Sequence, residues 1–456
     1  MNSIVLFKNN LRINDNPALY YAAKHSEKIL PVYIYDNINI KKILGSASRY
    51  WLYNALNSLK KSLDGNLCLY NGDSSKILKE TVKKYSISSI FCEQPFLKND
   101  IALFEKLKRE LLQCGVKVNV FNCTLLWDPK LVLKKDNTPY KVFTPYYRRG
   151  CLEKIAPDLP LGKPNKLNFL KINNDTDIKD LNLLSKFNWY DKMDNLWKIS
   201  EDSATQIFDS FLDSSIYHYK QGRDFPASNY TSKLSPYIRF GMISVNRMWY
   251  ELNKLDLDRN IAHYKSEIGW REFSYYLLYH FSFMETDNLQ TKFDDFVWQN
   301  STEKFNAWKK GETGYPIVDA AMRELWQTGY MHNRMRMVTA SFLVKNLLID
   351  WRLGESWFWD CLFDADYASN IAGWQWTAGT GADAAPYFRI FNPILQGEKF
   401  DNEGKYTLKY VPELKNIPLK YLQKPWEYSI MLDYASPIVN LKDSRENALF
   451  QYSLIK

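Results

Sequence analysis

Motifs of several common binding sites are absent from this sequence of 456 residues. It has neither a GxGxxG nor a Walker sequence, so no segment indicates a standard dinucleotide or nucleoside triphosphate site. Its six cysteines are scattered, without a CxxC pair and without a histidine at metal-ligand spacing. We expect free thiols in a reducing compartment and no bound metal.

Long apolar runs are also missing. None approaches the length that spans a membrane, and the N-terminal MNSIVLFKNNLRIND enters a strand-like run without the layout of a signal peptide. No internal repeat or low-complexity tract is evident. These absences predict a cytoplasmic protein that is not inserted in a membrane.

Aromatic residues, in contrast, are abundant. The chain has 15 Trp, 31 Tyr and 25 Phe, which suit either an aromatic core or surfaces that stack on flat ligands such as flavins and bases. With 46% hydrophobic and 24% charged residues, the composition is typical of a globular protein. The net charge of +9 indicates a polyanionic partner only weakly, because 51 acidic residues offset 60 basic ones.

Three segments differ in pattern. Residues 1–125 alternate short β-rich apolar runs with amphipathic stretches, which predicts an α/β domain with a doubly wound parallel sheet. Residues 126–200 carry six prolines and no sustained period, as expected of a long interdomain linker. Residues 201–456 show helical periodicity and predict a large all-α domain.

Individual elements follow from the same patterns. The predicted strands are 4–7, 29–35, 67–70, 87–92 and 116–121. The predicted helices are 48–63, 74–85, 100–114, 232–240, 261–283, 315–328, 334–350 and 355–363. Asp73 is a candidate N-cap of the second helix, and Gly115 is a candidate terminator of the third.

Polar and aromatic residues are densest between residues 314 and 401. Beside apolar helical faces and six tryptophans, this stretch places Arg334, Arg336, Arg352, Asp364, Asp366 and Asn370. Polar groups so placed should be paired with each other or bound to a ligand. On these residues alone, an ion-pair network and a ligand site are both open alternatives.

The same stretch contains, in order, GYPIVDAAMREL, MHNRMRM, DWR, GWQW and QGEKFD. In this it resembles the class I photolyases and their cryptochrome relatives, and the resemblance extends over the whole chain. It implies FAD bound in a bent form inside the helical domain. It also implies an enzyme, a deoxyribodipyrimidine photo-lyase, that splits cyclobutane pyrimidine dimers in DNA by electron transfer from photoexcited reduced FAD.

The resemblance assigns residues to the flavin diphosphate. They are Tyr219, Thr231, Ser232, Lys233, Leu234, Ser235 and Arg271. Hydroxyls and backbone N–H groups at a helix start suit an anion. A capped helix start alone would also explain the Thr and the Ser residues.

Four further residues match positions around the flavin ring in the family. Asp364 and Asp366 match the contacts to the isoalloxazine and ribityl edge, and Arg336 matches the partner of the first carboxylate. Asn370 matches the residue that faces flavin N5. Plant cryptochromes place an Asp there, so the amide favours repair over signalling.

A pocket for the flipped dimer is implied as well, since photolyases are among the enzymes that take bases out of the duplex. Its matching residues are Glu267, Trp270, Asn333, Met337 and Trp376. The tryptophans would flank the bases, and Glu267 would hydrogen-bond a thymine edge. The (6-4) photolyases carry a His at position 333, and DASH-type cryptochromes lack both MHNRMRM and DAAPYFRIFNP, so both fit less well.

Electron supply and docking are the remaining expectations for this half. Trp298, Trp351 and Trp374 match the family's chain of tryptophans that passes electrons from the surface to the flavin, although each alone is an ordinary packing residue. Basic groups that match DNA contacts are Arg223, Arg334 and Arg389, although an arginine taken singly is more commonly a solvated surface charge. The expected partner is damaged DNA, bound by a monomer.

A second, light-harvesting chromophore is implied for the α/β half, either a folate such as methenyltetrahydrofolate or a deazaflavin. Asn99 and Asp100 align with the folate-binding pair of some members, with a helix cap as the alternative. The N-terminal LFKNNLR departs from the usual WFRRDLR-like form of the family, so the identity and the presence of this antenna chromophore stay undecided.

Two rival functions are weighed against repair. A blue-light photoreceptor that signals through a protein partner is disfavoured by Asn370, by the dimer-pocket residues and by the absence of a long disordered tail. A flavin oxidoreductase would need a nicotinamide site, and no motif indicates one.

Overall fold

A computed structural model describes residues 1–172, 176–384, 386–387, 389–428 and 433–455 of the chain. The chain forms two compact units. The first unit comprises residues 1–140, 144–213 and 232–282. The second comprises residues 141–143, 214–231 and 283–456.

A parallel sheet of five strands lies in the first unit, with the order β3-β2-β1-β4-β5. The strands are β1 Asn2–Phe7, β2 Lys28–Tyr35, β3 Cys68–Asn71, β4 Ile87–Glu93 and β5 Lys117–Phe121. The helices between them are α1 Pro17–His25, α2 Ser46–Ser62, α3 Ser74–Tyr85 and α4 Lys98–Gln113. The predicted α/β domain with a parallel sheet is confirmed.

Sequence patterns and capping residues explain these elements. Central strands carry apolar residues on both faces, and Ile4, Leu30 and Val32 are fully buried, as expected when helices cover a parallel sheet. The Asp73 carboxylate accepts a hydrogen bond from the Lys76 N–H at 2.9 Å and caps α3, as predicted. Gly115 has a φ of +76° and follows the end of α4, also as predicted.

Helices dominate the rest of the chain. They are α5 Phe143–Pro145, α6 Glu201–Asp213, α7 Tyr219–Gly222, α8 Ser235–Arg239, α9 Val245–Lys254, α10 Arg259–His280, α11 Thr302–Lys310, α12 Pro316–Thr328, α13 Asn333–Ser341, α14 Trp351–Cys361, α15 Tyr367–Ala378, α16 Pro393–Phe400, α17 Lys405–Tyr410 and α18 Leu441–Ser453. Two π-helical segments are Tyr146–Leu152 and Phe342–Asn346. The predicted helical C-terminal domain is confirmed.

Most predicted helices differ from the structure by a few residues at their ends, and two differ in a way that has a local cause. The predicted helix 334–350 is α13 followed by a π-helical segment that ends at Asn346, and Leu348 then adopts a φ of +51°. Residues 342–349 are all buried, so periodicity cannot mark where the helix stops. The predicted helix 232–240 begins only at Ser235, because Lys233 adopts a φ of +53°.

An aromatic cluster organises part of the second unit. Phe293, Phe296 and Tyr387 pack around Leu348 and Ala448. Much of the aromatic content therefore lies in the core. Among the described residues, no helix is both long and apolar enough to cross a membrane.

Candidate functional site

The predicted site residues are divided between the two units. Those in the first unit are Asn99, Asp100, Ser232, Lys233, Leu234, Ser235, Glu267, Trp270 and Arg271. Those in the second unit are Tyr219, Arg223, Thr231, Trp298, Asn333, Arg334, Arg336, Met337, Trp351, Asp364, Asp366, Asn370, Trp374, Trp376 and Arg389.

An ion pair with a buried carboxylate joins α13 to the segment that precedes α15. Arg336 Nη2 donates to Asp364 Oδ2 at 2.8 Å, and Arg336 Nε donates to the Met331 carbonyl at 2.7 Å. The Asp364 side chain is only 4% exposed, and its Oδ1 has no hydrogen-bond partner among the described residues. A buried carboxylate oxygen without a partner is costly, so this one is suited to accept a hydrogen bond from a ligand.

One side of α15 combines polar groups with open space. Asp366 caps the helix by accepting from the Ser369 N–H at 2.8 Å. Asn370, Gly373 and Trp376 follow at helical spacing, so they share this side. A Cβ built on Gly373 would meet nothing within 4 Å. This side can therefore border a flat ligand.

The amide of Asn370 has a fixed orientation. Its Nδ2 donates to the Glu355 carbonyl at 3.0 Å and to Glu355 Oε1 at 2.8 Å. Glu355 is buried on α14 and was not predicted as a site residue. No local sequence signal identifies it, because the contact joins two helices.

The segment MHNRMRM brings four predicted residues onto α13, namely Asn333, Arg334, Arg336 and Met337. Asn333 Nδ2 lies 4.0 Å from Met337 Sδ, because residues four apart share one face of a helix. Arg334 pairs with Asp224 at 2.8 Å and lies over the Phe400 ring at 4.5 Å. The positive charge of Arg334 thus has an acidic partner in the same unit.

His332 caps the same helix and was not predicted. Its ring is buried, and burial lowers its pKa to about 4, which keeps the ring neutral. Nδ1 accepts from the Arg334 N–H at 3.3 Å, while Nε2 has no partner among the described residues. Its place directly before Asn333 in the MHNRMRM motif is the feature of the sequence that could have identified it.

In the first unit, Glu267, Trp270 and Arg271 occupy one side of α10, and each is partly exposed. His263, one turn earlier, has its Nε2 3.9 Å from Glu267 Oε1. The hydroxyl of Tyr264, which lies on the same helix, donates to Ser232 Oγ at 3.1 Å. The structure thus gathers acidic, aromatic and basic groups on this helix.

Arg271 is held by a buried acid that was not predicted. Its Nη1 donates to Glu272 Oε1 at 2.8 Å and to the Thr124 carbonyl at 3.0 Å. Glu272 Oε2 accepts from the Leu126 N–H at 2.7 Å. Burial raises the pKa of Glu272 to about 7, and the Arg271 charge opposes that rise.

The turn before α8 and the helix α7 carry the other predicted diphosphate residues. Lys233 and Ser235 are exposed, whereas Leu234 is buried and precedes the first residue of α8. In the second unit, Tyr219 is buried and the Arg223 guanidinium lies 5.5 Å from its ring centroid.

The three predicted chain tryptophans differ in exposure. Trp374 and Trp351 are buried, whereas Trp298 is partly exposed. The ring centroids of Trp298 and Phe296 lie 4.6 Å apart. Trp351 Nε1 donates to Asn288 Oδ1 at 3.0 Å. A surface-to-core gradient of this kind suits electron entry from outside.

Close packing fixes the Trp374 ring. It makes an edge contact with Phe358 at 4.9 Å, and a Cβ added at Gly354 would lie 2.2 Å from its ring. Gly354 is therefore required for α14 to approach the indole.

The remaining predicted residues are exposed or partly exposed. Arg389 is exposed on the segment after α15; Ala385 and Phe388 of the DAAPYFRIFNP run lie outside the described residues. Asn99 and Asp100 lie in the first turn of α4, and Asp100 pairs with Lys8 at 2.7 Å. The N-cap of α4 is Leu97, so the interpretation of either residue as a helix cap is wrong.

Comparisons with known proteins cover both halves of the chain. A family model described as "DNA photolyase" matches residues 3–164, and one described as "FAD binding domain of DNA photolyase" matches residues 264–454. The deoxyribodipyrimidine photo-lyase of Agrobacterium fabrum is 41% identical over 99% of this chain and 98% of its own. Cryptochrome-2 of Arabidopsis thaliana is 31% identical over 97% of this chain and 77% of its own.

Two solved structures are similar throughout. A bacterial class III photolyase from Agrobacterium tumefaciens has a TM-score of 0.95 at 40% identity, covering 100% of this chain and 97% of that one. An archaeal photolyase from Sulfolobus tokodaii with two FAD molecules, described as implying a novel light-harvesting cofactor, has a TM-score of 0.83 at 28% identity and covers 100% of both chains.

Proposed function

This chain belongs to the DNA photolyase and cryptochrome family, and we propose that it repairs cyclobutane pyrimidine dimers in DNA with the energy of light. The family predicted from the motifs is confirmed, as is its FAD-binding domain. The finer assignment to class I is not favoured, because the solved structure with a TM-score of 0.95 is a class III photolyase.

The observation that carries the choice of repair is the amide at position 370. Asn370 Nδ2 donates two hydrogen bonds to Glu355, so a buried acid already occupies the donor side of this amide. An ionised Asp at this position would place a second carboxylate against Glu355, which like-charge repulsion disfavours. The surroundings therefore favour the amide that the family uses for repair.

The residues present fit a flavin. Asp364 offers a buried carboxylate oxygen without a partner among the described residues, Arg336 keeps the other oxygen engaged, and Gly373 leaves space beside Asn370. When bound, FAD in its reduced form supplies a photoexcited one-electron donor. Asp364, Asp366 and Arg336 would orient it, and the buried surroundings would exclude water.

Residues on α10, α13 and α15 would contact the lesion. Glu267 would hydrogen-bond a pyrimidine edge and hold a proton near the carbonyl oxygen where negative charge develops. Trp270 and Trp376 would offer flat apolar faces to bases. Asn333 and Met337 would contribute an amide and a soft apolar contact.

Three supporting roles complete the proposal. Trp298, Trp351 and Trp374 would pass electrons inward from solvent, and Arg223, Arg334 and Arg389 would contact phosphates. We propose an antenna chromophore in the α/β half, with Asn99 and Asp100 as candidates for its binding. The protein would act as a cytoplasmic monomer on damaged DNA.

Repair is tested directly with the flavin-loaded protein. Chemically reduced protein is mixed with a thymine-dimer oligonucleotide under blue or near-UV light, and recovery of thymine absorbance is followed. Recovery that requires both light and reduced flavin supports the proposal. Absence of recovery while the oligonucleotide stays bound overturns it and favours a blue-light photoreceptor, the family's alternative function.

A further inference from the structure

A lysine inside the second unit has an unusual position. Lys345 lies in the π-helical segment Phe342–Asn346 and is only 1% exposed. Among the described residues no carboxylate lies within ion-pair distance of its ammonium. Burial, and then the neighbouring Arg389 charge, lowers its pKa to about 7. Lysine is rarely buried unpaired, because desolvation of the ammonium is costly.

The side chain of Lys345 is directed at the loop after α15 that contains Tyr387, Arg389 and Phe391. Its Nζ donates to the Arg389 carbonyl at 2.9 Å and lies 5.4 Å from the Tyr387 ring centroid. Either protonation state of the amine can donate this hydrogen bond. The two contacts are two residues apart in the chain, so one side chain secures this part of the loop.

Two further contacts secure the same loop. Ser341 Oγ, at the end of α13, accepts from the Phe391 N–H at 3.3 Å. Tyr387 is 2% exposed and stacks on Tyr452 at 4.7 Å. Arg389 itself is exposed between these anchors. The loop is therefore fixed on its inner side and presents an arginine on its outer side.

We propose that Lys345 is a positioning residue for DNA docking, which holds the Arg389 backbone so that the Arg389 guanidinium is presented to a phosphate. This rests on the proposed function, since it takes Arg389 as a DNA contact. Stability does not account for the lysine, because an apolar residue of similar volume is usually tolerated at least as well in a core. Rigidity of the loop does, because a pre-ordered loop loses less conformational entropy on binding.

Lys345→Met tests this in the flavin-loaded protein, with Lys292→Met as the matched control. Lys292 lies near Tyr452, the stacking partner of Tyr387, with its Nζ 5.1 Å from the Tyr452 ring centroid and bonded to the Tyr452 hydroxyl at 3.2 Å. Among the described residues it makes no hydrogen bond to the Arg389 backbone. Lys345→Met should keep the parental flavin content and melting temperature. Its affinity for a thymine-dimer duplex should fall about tenfold, the cost typical of losing the charge-assisted contact between the Arg389 guanidinium and a phosphate. Lys292→Met should change affinity far less.

A double-mutant cycle with Arg389→Gln shows whether Lys345 acts through Arg389. Residues that act through one contact give non-additive effects. The double variant should therefore bind as weakly as Arg389→Gln alone. In the double variant and in Arg389→Gln, the slope of log affinity against log salt should be lower than the parental slope by about one. Additive losses would overturn the proposal.

Hydrogen exchange in the absence of DNA separates this inference from the repair function. In Lys345→Met, the backbone amides of residues 387 and 389–391 should exchange faster, while those of the sheet in the first unit should not change. Unchanged loop exchange overturns the positioning role even if DNA repair is established. If the parent binds no damaged DNA, the repair proposal and the docking role fail together, whatever the exchange shows.

Ser341→Ala is a second variant in case Lys345→Met does not fold. It removes only the acceptor of the Phe391 N–H. It should loosen the same amides and weaken DNA binding in the same direction by a smaller factor. If Ser341→Ala shows neither faster exchange of these amides nor weaker DNA binding, the proposal is overturned.

Discussion

Arg336 and Asp364 form an ion pair in which the described residues engage only one of the two carboxylate oxygens. Nη2 donates to Oδ2 at 2.8 Å, and Oδ1 is buried without a partner among the described residues. Stability alone would favour satisfying both oxygens. The arrangement is that of a carboxylate oriented by one partner and reserved for a second.

Asp364→Asn should therefore weaken FAD retention. The neutral amide loses the charge-assisted hydrogen bond to Arg336 and leaves that guanidinium without its carboxylate, so we expect about tenfold lower flavin affinity or more. The ratio of flavin to protein absorbance after purification measures it. Asp350→Asn, in the more exposed pair with Arg352, is the control. Parental flavin content in Asp364→Asn would contradict the assignment.

Asn370→Asp should make stability pH-dependent. The new carboxyl would face Glu355, so its pKa should be raised in the folded state above its unfolded value. The folded protein then binds more protons, and stability should fall as pH rises through that interval. Melting temperature against pH measures this. Adding Glu355→Gln should abolish the effect, and its persistence in the double variant would exclude repulsion as the cause.

Glu267→Gln should keep the flavin but impair lesion handling. The amide retains hydrogen-bonding capacity but cannot act as a carboxylic acid near developing negative charge, so we expect a lower repair yield and weaker binding of the dimer. Repair yield per absorbed photon and duplex affinity are the measurements. Glu251→Gln, at a partly exposed glutamate paired with Lys254, is the matched control. Parental repair by Glu267→Gln would remove this residue from the proposed pocket.

Trp374→Phe separates photoreduction from repair. Phenylalanine is harder to oxidise than tryptophan, so light-driven reduction of oxidised FAD should be abolished or greatly slowed. Repair should persist when the flavin is reduced chemically beforehand. The smaller ring costs up to a few kcal/mol of stability, so a melting curve accompanies the assay.

Trp249→Phe provides the control for Trp374→Phe, because Trp249 is another buried tryptophan and was not assigned to the chain. It should photoreduce at the parental rate. A folded, flavin-loaded Trp374→Phe variant that also photoreduces at that rate would rule out Trp374 as the electron donor next to the flavin.

Glu272→Gln should alter the pH dependence of folding. The ordinary pKa of this glutamate is near 4.5 and its folded pKa is about 7, so between these values the folded state holds a proton that the unfolded state has lost. This group therefore lowers stability as pH rises from 4.5 to 7. Over that interval the free energy of unfolding of the variant should rise relative to that of the parent, by on the order of 3 kcal/mol.

Denaturant unfolding of parent and Glu272→Gln across this pH range makes the comparison. His332, with a pKa of about 4, acts in the opposite direction in both proteins, so only the difference between the curves isolates Glu272. Parallel curves would show that Glu272 does not titrate in this interval.

Local patterns were sufficient for most elements. The predicted helix 74–85 has the bounds of α3, and the five predicted strands all occur, because their apolar runs are short and bounded by turns. The 334–350 prediction failed in its second half, since continuous burial erases the period on which the prediction depends.

The sequence by itself determined the fold class, the family and the residue types of the candidate site, because these follow from periodicity and from contiguous motifs. Only the tertiary structure decided the partners of those residues. Glu355 against Asn370, Glu272 against Arg271 and Lys345 against Arg389 are contacts in which at least one member was not predicted. Two of these pairs join segments distant in the chain, and the third depends on the burial of a glutamate that the sequence does not reveal. Such contacts are set by packing, which no local pattern encodes.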